Sequence, residues 1–135
     1  MICLDHVHVF SSDIEKTIHF YTTMFGARVV YDTPLMGKRN VRLDIGGMAM
    51  HVYDQKPRSA DRGLLNHLGM RTDDLDSLVE HMQANGVTFR KAITEAESFR
   101  YVMCEAPDGV LLELYQVKEG GEWMVGKGEL MNTKA

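Results

Sequence analysis

Cysteine and proline are scarce in this sequence, which has two Cys and three Pro among 135 residues. Two thiols cannot form the disulfide framework of small secreted domains, so Cys3 and Cys104 are predicted to be reduced core residues. No apolar run approaches the length of a membrane-spanning helix, and residues 1–10 lack the apolar core of a signal peptide. From these absences we expect a soluble, cytoplasmic protein.

Positive charge is also limited, because 15 Lys and Arg face 19 Asp and Glu and the net charge is −4. No basic run occurs, and nucleic-acid backbones are bound by clustered cations, so no nucleic-acid partner is expected. The composition is 44% hydrophobic and 25% charged, which is ordinary for a globular protein of about one domain.

Two amphipathic helices are predicted, over residues 13–25 and 74–85, because apolar side chains recur there at helical spacing. Ser12 is the predicted N-cap of the first helix, as part of a capping box, and Thr72 or Asp73 that of the second. A glycine is predicted to end each helix in the left-handed conformation. The predicted apolar stripes contain Ile14, Ile18, Tyr21 and Phe25, and then Leu75, Leu78, Val79 and Met82.

Eight short strands are predicted in the rest of the chain, separated by turns that contain glycine or proline. The predicted breaks include residues 33–34, 46–47 and 107–109. The predicted strands cover residues 3–10, 27–31, 40–45, 48–53, 67–71, 87–90, 100–105 and 110–117.

The two halves of the sequence repeat one another. A shift of 61 residues places His6 on His67, and Gly26 matches Gly86 after a one-residue gap. Each half reads as strand, helix, glycine and three strands, so we predict an α+β fold of two βαβββ modules. The modules cover about residues 1–54 and 63–117 of a single domain, 1–117, which a loosely ordered tail, 118–135, follows.

Four potential metal ligands follow this repeat. His6 and His67 lie on the first strand of each module, and His51 and Glu113 lie on the last strand, 45 and 46 residues later. We predict that these side chains converge on one divalent cation. Three imidazoles and one carboxylate favour Zn, Ni, Co, Mn or Fe over Ca or Mg. Without His51 the set becomes the two-His-one-carboxylate triad of Fe(II) oxygenases.

Three segments carry a family resemblance: LDHVHVFSSDIEKTIHFYTTMFGARVV, NHLGMRTDDLDSLVEHMQANGV and APDGVLLELYQ. With them the sequence resembles the vicinal oxygen chelate (glyoxalase/bleomycin-resistance/extradiol dioxygenase) superfamily over about residues 4–116. The resemblance implies two modules that form an open, cup-like sheet around a divalent metal, with ligands at His6, His67 and Glu113. The fourth position, which is Glu or Gln in glyoxalase I, is His51 here. The resemblance also implies a homodimer and a small-molecule substrate.

Positions that differ among family members reduce the number of activities expected for this chain. Glyoxalase I places glutathione-binding residues where Phe10 and Gln55 stand, and extradiol and fosfomycin-resistance enzymes place a Tyr where Met103 stands. Our first hypothesis is therefore a metal-dependent lyase or isomerase of the glyoxalase type, acting through an enolate-like intermediate. His8 or Glu113 would move the proton. The alternatives are an Fe(II) extradiol-type dioxygenase and a non-catalytic protein that sequesters a ligand.

Several other side chains are predicted to contact the substrate. Tyr53 and Tyr115 each lie two residues beyond a last-strand ligand and therefore share its face. Arg42 and Arg100 are candidate anchors for an anionic group, as is Arg39. Trp123, in the tail, is predicted to cover the mouth of the cup or a neighbouring surface.

Overall fold

The computed structural model describes residues 4–59, 61, 63 and 65–122. The chain divides into two compact units, Met1–Asp61 and Arg62–Ala135. Cys3 and Trp123, for which a core position and a covering role were predicted, lie outside the described residues. No helix in the described part of the chain is both long and apolar enough to cross a bilayer.

The first unit is one four-stranded sheet and one helix. In the sheet the strand order is β1-β4-β3-β2, with β1 parallel to β4 and the other pairs antiparallel. The first strand and the last are therefore adjacent, with β1 at one edge of the sheet. The elements are β1 (His6–Ser11), α1 (Ile14–Phe25), β2 (Arg28–Leu35), β3 (Lys38–Ile45) and β4 (Met48–Asp54).

The second unit has the same topology, with the strand order β5-β8-β7-β6 and β5 parallel to β8. The predicted α+β fold of two βαβββ modules is thus confirmed. A short 3₁₀ turn, Pro107–Gly109, precedes the last strand. The elements are β5 (Leu68–Arg71), α2 (Leu75–Ala84), β6 (Thr94–Glu95), β7 (Phe99–Glu105) and β8 (Leu111–Val117).

Two strand predictions were wrong in their bounds. No strand covers residues 87–90, because the Val87 N–H bonds to the Met82 carbonyl at the end of α2. The short strand β6 begins only at Thr94. The break predicted at residues 33–34 lies inside β2, where Pro34 is tolerated because β2 is an edge strand. The chain turns instead at Met36 and Gly37, both with positive φ.

Both helices begin one residue after an aspartate, and not at the predicted caps. The Asp13 carboxylate accepts from the Lys16 N–H at 3.1 Å, and the Asp74 carboxylate accepts from the Ser77 N–H at 3.0 Å. A carboxylate at this position satisfies an unpaired N–H group and also faces the positive end of the helix dipole. Gly26 ends α1 in the left-handed conformation, as predicted, with φ 65°.

The buried face of α1 is rotated from the predicted stripe. Ile18 and Phe25 are only partly buried, whereas Thr17 is buried and its hydroxyl is paired with the buried Ser11 hydroxyl at 2.6 Å. This bond joins the end of β1 to the second turn of the helix. The residues that α1 buries are Ile14, Thr17, Phe20, Tyr21 and Met24.

We expect the Ser11–Thr17 pair to show strong energetic coupling. Ser11→Ala should cost about 1–3 kcal/mol, because the buried Thr17 hydroxyl then loses this hydrogen bond. Adding Thr17→Val should cost little more, because both polar groups are then gone. Urea unfolding of the two single variants and the double variant gives the coupling energy. Costs that simply add would contradict the expectation.

A matching ion pair ties each helix to its own sheet. Arg39 on β3 pairs with Glu15 in the first turn of α1, and Arg100 on β7 pairs with Asp76 in the first turn of α2. The two arginines are 61 residues apart, as are the two acids, so the pair is part of the internal repeat. Both guanidinium groups, which were predicted as candidate anchors for a ligand anion, are therefore engaged within their own units.

Strand β2 is exposed along its whole length at the edge of its sheet. Among its side chains, Val29, Val30 and Leu35 are 50%, 57% and 49% exposed, and Met36 in the turn that follows is 89% exposed. An edge strand with apolar side chains and unpaired backbone groups can pair with another chain.

The first residues beyond β8 contact the segment 95–98, so the predicted loose ordering of the tail does not hold at Lys118 and Gly121. The Lys118 N–H bonds to the Ser98 carbonyl at 2.9 Å, and its ammonium group bonds to Glu95 and to the Ala96 carbonyl. A Cβ on Gly121 would lie 2.2 Å from the Ser98 carbonyl oxygen, so only glycine fits there. Residues 123–135 lie outside the described residues.

Cys104 is a free, buried thiol on β7, as predicted, and burial raises its pKa to about 11. The thiolate is the reactive form, so we expect Cys104 to react very slowly with a thiol reagent at pH 8 until the protein unfolds. Stopped-flow labelling of a Cys3→Ser variant, with and without denaturant, tests this. Rapid labelling of the folded variant would contradict the burial of Cys104.

Candidate metal centre

The first unit brings two predicted ligands, His6 and His51, into direct contact. Their rings stack with centroids 4.1 Å apart and planes 24° apart. The parallel pairing of β1 with β4 causes this, since His6 lies opposite Ala49 and His8 lies opposite His51. His51 is 8% exposed, whereas His6 is exposed to solvent.

His6 is oriented by the residue that precedes it. Its Nδ1 lies 2.7 Å from the Asp5 carboxylate, which also accepts from Arg42 Nη1 at 3.1 Å. These hydrogen bonds, that from Arg42 first, lower the pKa of Asp5 to about 2. The Nε2 atom of His6 is the nitrogen that this contact leaves available to a ligand.

His51 is surrounded by polar groups from neighbouring strands. Arg42, its cross-strand partner on β3, places Nη1 3.1 Å from His51 Nε2. Tyr31 Oη lies 3.5 Å from the same nitrogen, and Asn40 Nδ2 lies 3.5 Å from Nδ1. Burial first, and then the neighbouring His6 and Arg42, lower the pKa of His51, and its Nε2 accepts from Arg42. It can bind a cation through Nε2 only after releasing Arg42.

His8 lies beside an aromatic pair on the same unit. Its ring is 5.3 Å from that of Tyr53 and 5.7 Å, edge-on, from that of Phe10, and it is 6.3 Å from His51. The Tyr53 hydroxyl donates to the Leu35 carbonyl at 3.0 Å, so Tyr53 also anchors the end of β2. The predicted roles of His8 in proton transfer and of Tyr53 in substrate binding stay predictions.

The second unit brings together the other two predicted ligands, His67 and Glu113. His67 Nε2 lies 3.9 Å from Glu113 Oε2, and His67 Nδ1 lies 2.7 Å from Asn66 Oδ1. Glu113 is opposite Gly69 in the parallel β5–β8 pair, two residues before Tyr115, which pairs with Arg71. Both Tyr115 and Glu113 are partly exposed on β8.

Arg100 is already neutralised by carboxylates. It bonds to Asp76 at 2.6 Å and to Glu95 at 2.9 Å, and the Asp76 bond is the larger cause that raises its pKa. Arg42 is similarly held by Asp5 and His51. Their predicted role as anion anchors stays a prediction, and each would have to exchange an internal partner for the ligand.

Each unit holds one pair of the predicted ligands, which we call its half-site: His6 and His51 in the first unit, and His67 and Glu113 in the second. Two donors about 2.0–2.2 Å from one ion lie about 3–3.5 Å apart, so the 3.9 Å between His67 and Glu113 needs only a small side-chain rotation. Within either unit, the described residues offer no group of three His, Cys, Asp or Glu side chains for a metal. The convergence of all four ligands therefore stays a prediction.

Sequence reasoning did not identify the hydrogen-bond partners of the histidines. Asp5 and Asn66 stand immediately before His6 and His67 and are 61 residues apart, so the repeat contained the signal. Arg42, predicted only as an anion anchor, contacts His51 because antiparallel pairing places it opposite that residue. Sequence spacing alone does not reveal such a pairing.

A family model described as the glyoxalase/bleomycin resistance protein/dioxygenase superfamily matches residues 3–114 of this chain. A similar solved structure is a glyoxylase/bleomycin resistance protein/dioxygenase domain from Frankia sp. EAN1pec. Its TM-score is 0.77 at 18% identity, over 90% of this chain and 96% of that one.

Two other similar structures have more specific descriptions. TnmS3, an antibiotic binding protein from Streptomyces sp. CB03234, has a TM-score of 0.74 at 27% identity, over 87% of this chain and 98% of its own. A mutant of the fosfomycin resistance protein FosX from Listeria monocytogenes, complexed with Mn(II) and 1S,2S-dihydroxypropylphosphonic acid, has a TM-score of 0.73. It is 23% identical over 90% of this chain and 97% of its own, a likeness that shows the fold alone.

Proposed function

Since the chain belongs to the glyoxalase/bleomycin resistance protein/dioxygenase superfamily, as the sequence resemblance predicted, we propose that it is a metal-dependent lyase or isomerase. Its substrate would be a small molecule with vicinal oxygens. The observation that carries the proposal is the orientation of the His6 and His67 rings. His6 and His67 each turn Nδ1 toward a neighbouring oxygen at 2.7 Å, which leaves Nε2 to a cation.

The chain would hold the cation through His6, His67 and Glu113, and through His51 once Arg42 is displaced. A bound divalent cation supplies Lewis acidity, which stabilises negative charge that develops on substrate oxygens. Released from His51, Arg42 keeps its bond to Asp5 and can contact a substrate oxygen. His8, exposed on β1 near His51, is the group we assign to proton transfer.

The donor set restricts which metal is expected. Imidazole and carboxylate ligands suit Zn, Ni, Co, Mn or Fe, whereas Ca and Mg prefer oxygen ligands. A FosX structure of the same fold was obtained with Mn(II), which makes Mn a natural first ion to test.

Metal analysis of protein purified without a metal-affinity tag tests this function. We expect a ratio near one transition-metal ion per chain, or rebinding of Mn²⁺, Zn²⁺, Ni²⁺ or Co²⁺ after chelation. A panel of hydroxy-carbonyl substrates then tests for metal-dependent isomerisation or cleavage. The control is His19→Gln, which replaces an exposed helix histidine outside both half-sites. Metal content no higher than that of a His67→Ala/Glu113→Gln variant would overturn the proposal.

An Fe(II) dioxygenase of the extradiol type is the second candidate. The observation that favours it is the 3.1 Å contact between Arg42 and His51 Nε2, which leaves only His6, His67 and Glu113 as ligands. Two histidines and one carboxylate are the ligand set of Fe(II) oxygenases. Oxygen uptake with a catechol panel after anaerobic Fe(II) loading distinguishes this activity from isomerisation. Tight ligand binding without metal or turnover would indicate a binding protein instead.

We also propose that the protein is a homodimer in which β2 contacts a second copy. Val30 on this edge strand is 57% exposed, and Val30→Lys should convert the dimer to monomer because burying a charge there is costly. Light scattering after size exclusion gives the mass. The control is Leu65→Lys, the same kind of change at a 73% exposed residue outside the strands. Equal masses for Val30→Lys and wild type would contradict the use of this edge.

A further inference from the structure

Each unit contains the same hydrogen bond between a histidine ring and the side chain of the residue before it. Asp5 Oδ2 lies 2.7 Å from His6 Nδ1, and Asn66 Oδ1 lies 2.7 Å from His67 Nδ1. The two pairs are related by the 61-residue repeat, although the residue types differ. We infer that Asp5 and Asn66 are positioning residues that hold His6 and His67 in the Nδ1–H tautomer, with the Nε2 lone pair presented to a cation.

Hydrogen-bond chemistry determines the tautomer. A neutral imidazole carries one N–H, and a carboxylate or amide oxygen can only accept. In a neutral ring whose Nδ1 faces one of these oxygens, the proton therefore lies on Nδ1, and Nε2 keeps the lone pair that a metal needs. In His67 that nitrogen is the one that faces Glu113, at 3.9 Å. The inference thus deepens the proposed function, on which its link to metal rests.

The two positioning residues differ in charge, and this has a consequence for the first unit. Asp5 also accepts from Arg42, which in turn contacts His51, so one carboxylate links His6 and His51. Asn66 has a neutral side chain, and within the described residues His67 is the one side chain that its amide is seen to contact. Asp5→Asn therefore gives the first unit the Asn–His pair that the second unit already has. The variant should keep the Nδ1–H tautomer of His6 and lose the ion pair to Arg42.

The tautomers can be read in the metal-free protein. Long-range ¹H–¹⁵N spectra at pH 8.5 distinguish Nδ1–H from Nε2–H imidazoles, with assignment by His6→Gln and His67→Gln. We expect Nδ1–H for His6 and His67 in the wild type and in Asp5→Asn and Asn66→Asp. In Asp5→Ala and Asn66→Ala, the affected ring should shift to a mixture rich in Nε2–H. The exposed Asp61→Ala variant serves as the matched control.

Metal affinity provides the second readout. Competition with a chromophoric chelator should show a 10- to 100-fold loss for Asp5→Ala and for Asn66→Ala, and recovery to within a few-fold in Asp5→Asn. Circular dichroism confirms that each variant is folded. Alanine variants with wild-type tautomers and wild-type affinity would overturn the inference while leaving the proposed function intact. A wild type that binds no metal would overturn the proposed function, and altered tautomers in the alanine variants would still support the positioning role.

Discussion

Glu113→Gln is expected to weaken metal binding by at least about 100-fold. Glu113 supplies the one carboxylate among the four predicted ligands, and glutamine keeps its shape but offers only a neutral amide. Losing a residue that merely orients a ligand costs 10- to 100-fold, so losing a ligand itself should cost no less. Titration calorimetry with Mn²⁺ or Zn²⁺ measures the change.

The control for this variant must separate loss of a ligand from loss of fold. Glu113 is partly exposed on β8, so the isosteric change should leave the thermal unfolding temperature of the metal-free protein nearly unchanged. His19→Gln should retain wild-type affinity, because His19 lies on α1 outside both half-sites. Wild-type affinity in Glu113→Gln would contradict the expectation that the Glu113 charge helps to hold the cation.

Leu112→Ala is expected to have the largest effect on stability. Leu112 is fully buried on β8, which lies between β5 and β7 in its sheet, so the substitution leaves a cavity. Such changes cost about 2–5 kcal/mol, and a loss near 3 kcal/mol should lower the melting temperature by roughly 10 °C. Leu65→Ala, at a 73% exposed position, should change stability by less than about 0.5 kcal/mol. Equal melting temperatures would contradict this account of the core.

The sequence was sufficient to predict the topology because the internal repeat constrained it. Two copies of one pattern of strand, helix and strands had to adopt the same fold. The alternation of apolar and polar residues on β8 agrees with the burial of Leu112 and Leu114 and with the partial exposure of Glu113. Local details were harder. Ser12 and Asp13 are both good caps, and only the structure shows that Asp13 accepts the Lys16 N–H.

The sequence predicted the candidate ligands of the site but not the hydrogen bonds that connect them to their neighbours. His6 meets His51, and His67 meets Glu113, because first and last strands pair in each module. The contact of Arg42 with His51 depends on the register of β3 against β4, which residue spacing does not specify. A shift of one residue would have turned Arg42 to the opposite face of the sheet.

The carboxylates at the start of both helices limit how an anionic ligand can be recognised. Asp13 and Glu15 occupy the N-terminal turn of α1, and Asp74 and Asp76 occupy that of α2. The positive end of each helix dipole is thus already compensated, and a phosphate or carboxylate gains little by approaching it. Affinity for such ligands should therefore rise steeply with metal loading and stay low in the metal-free protein.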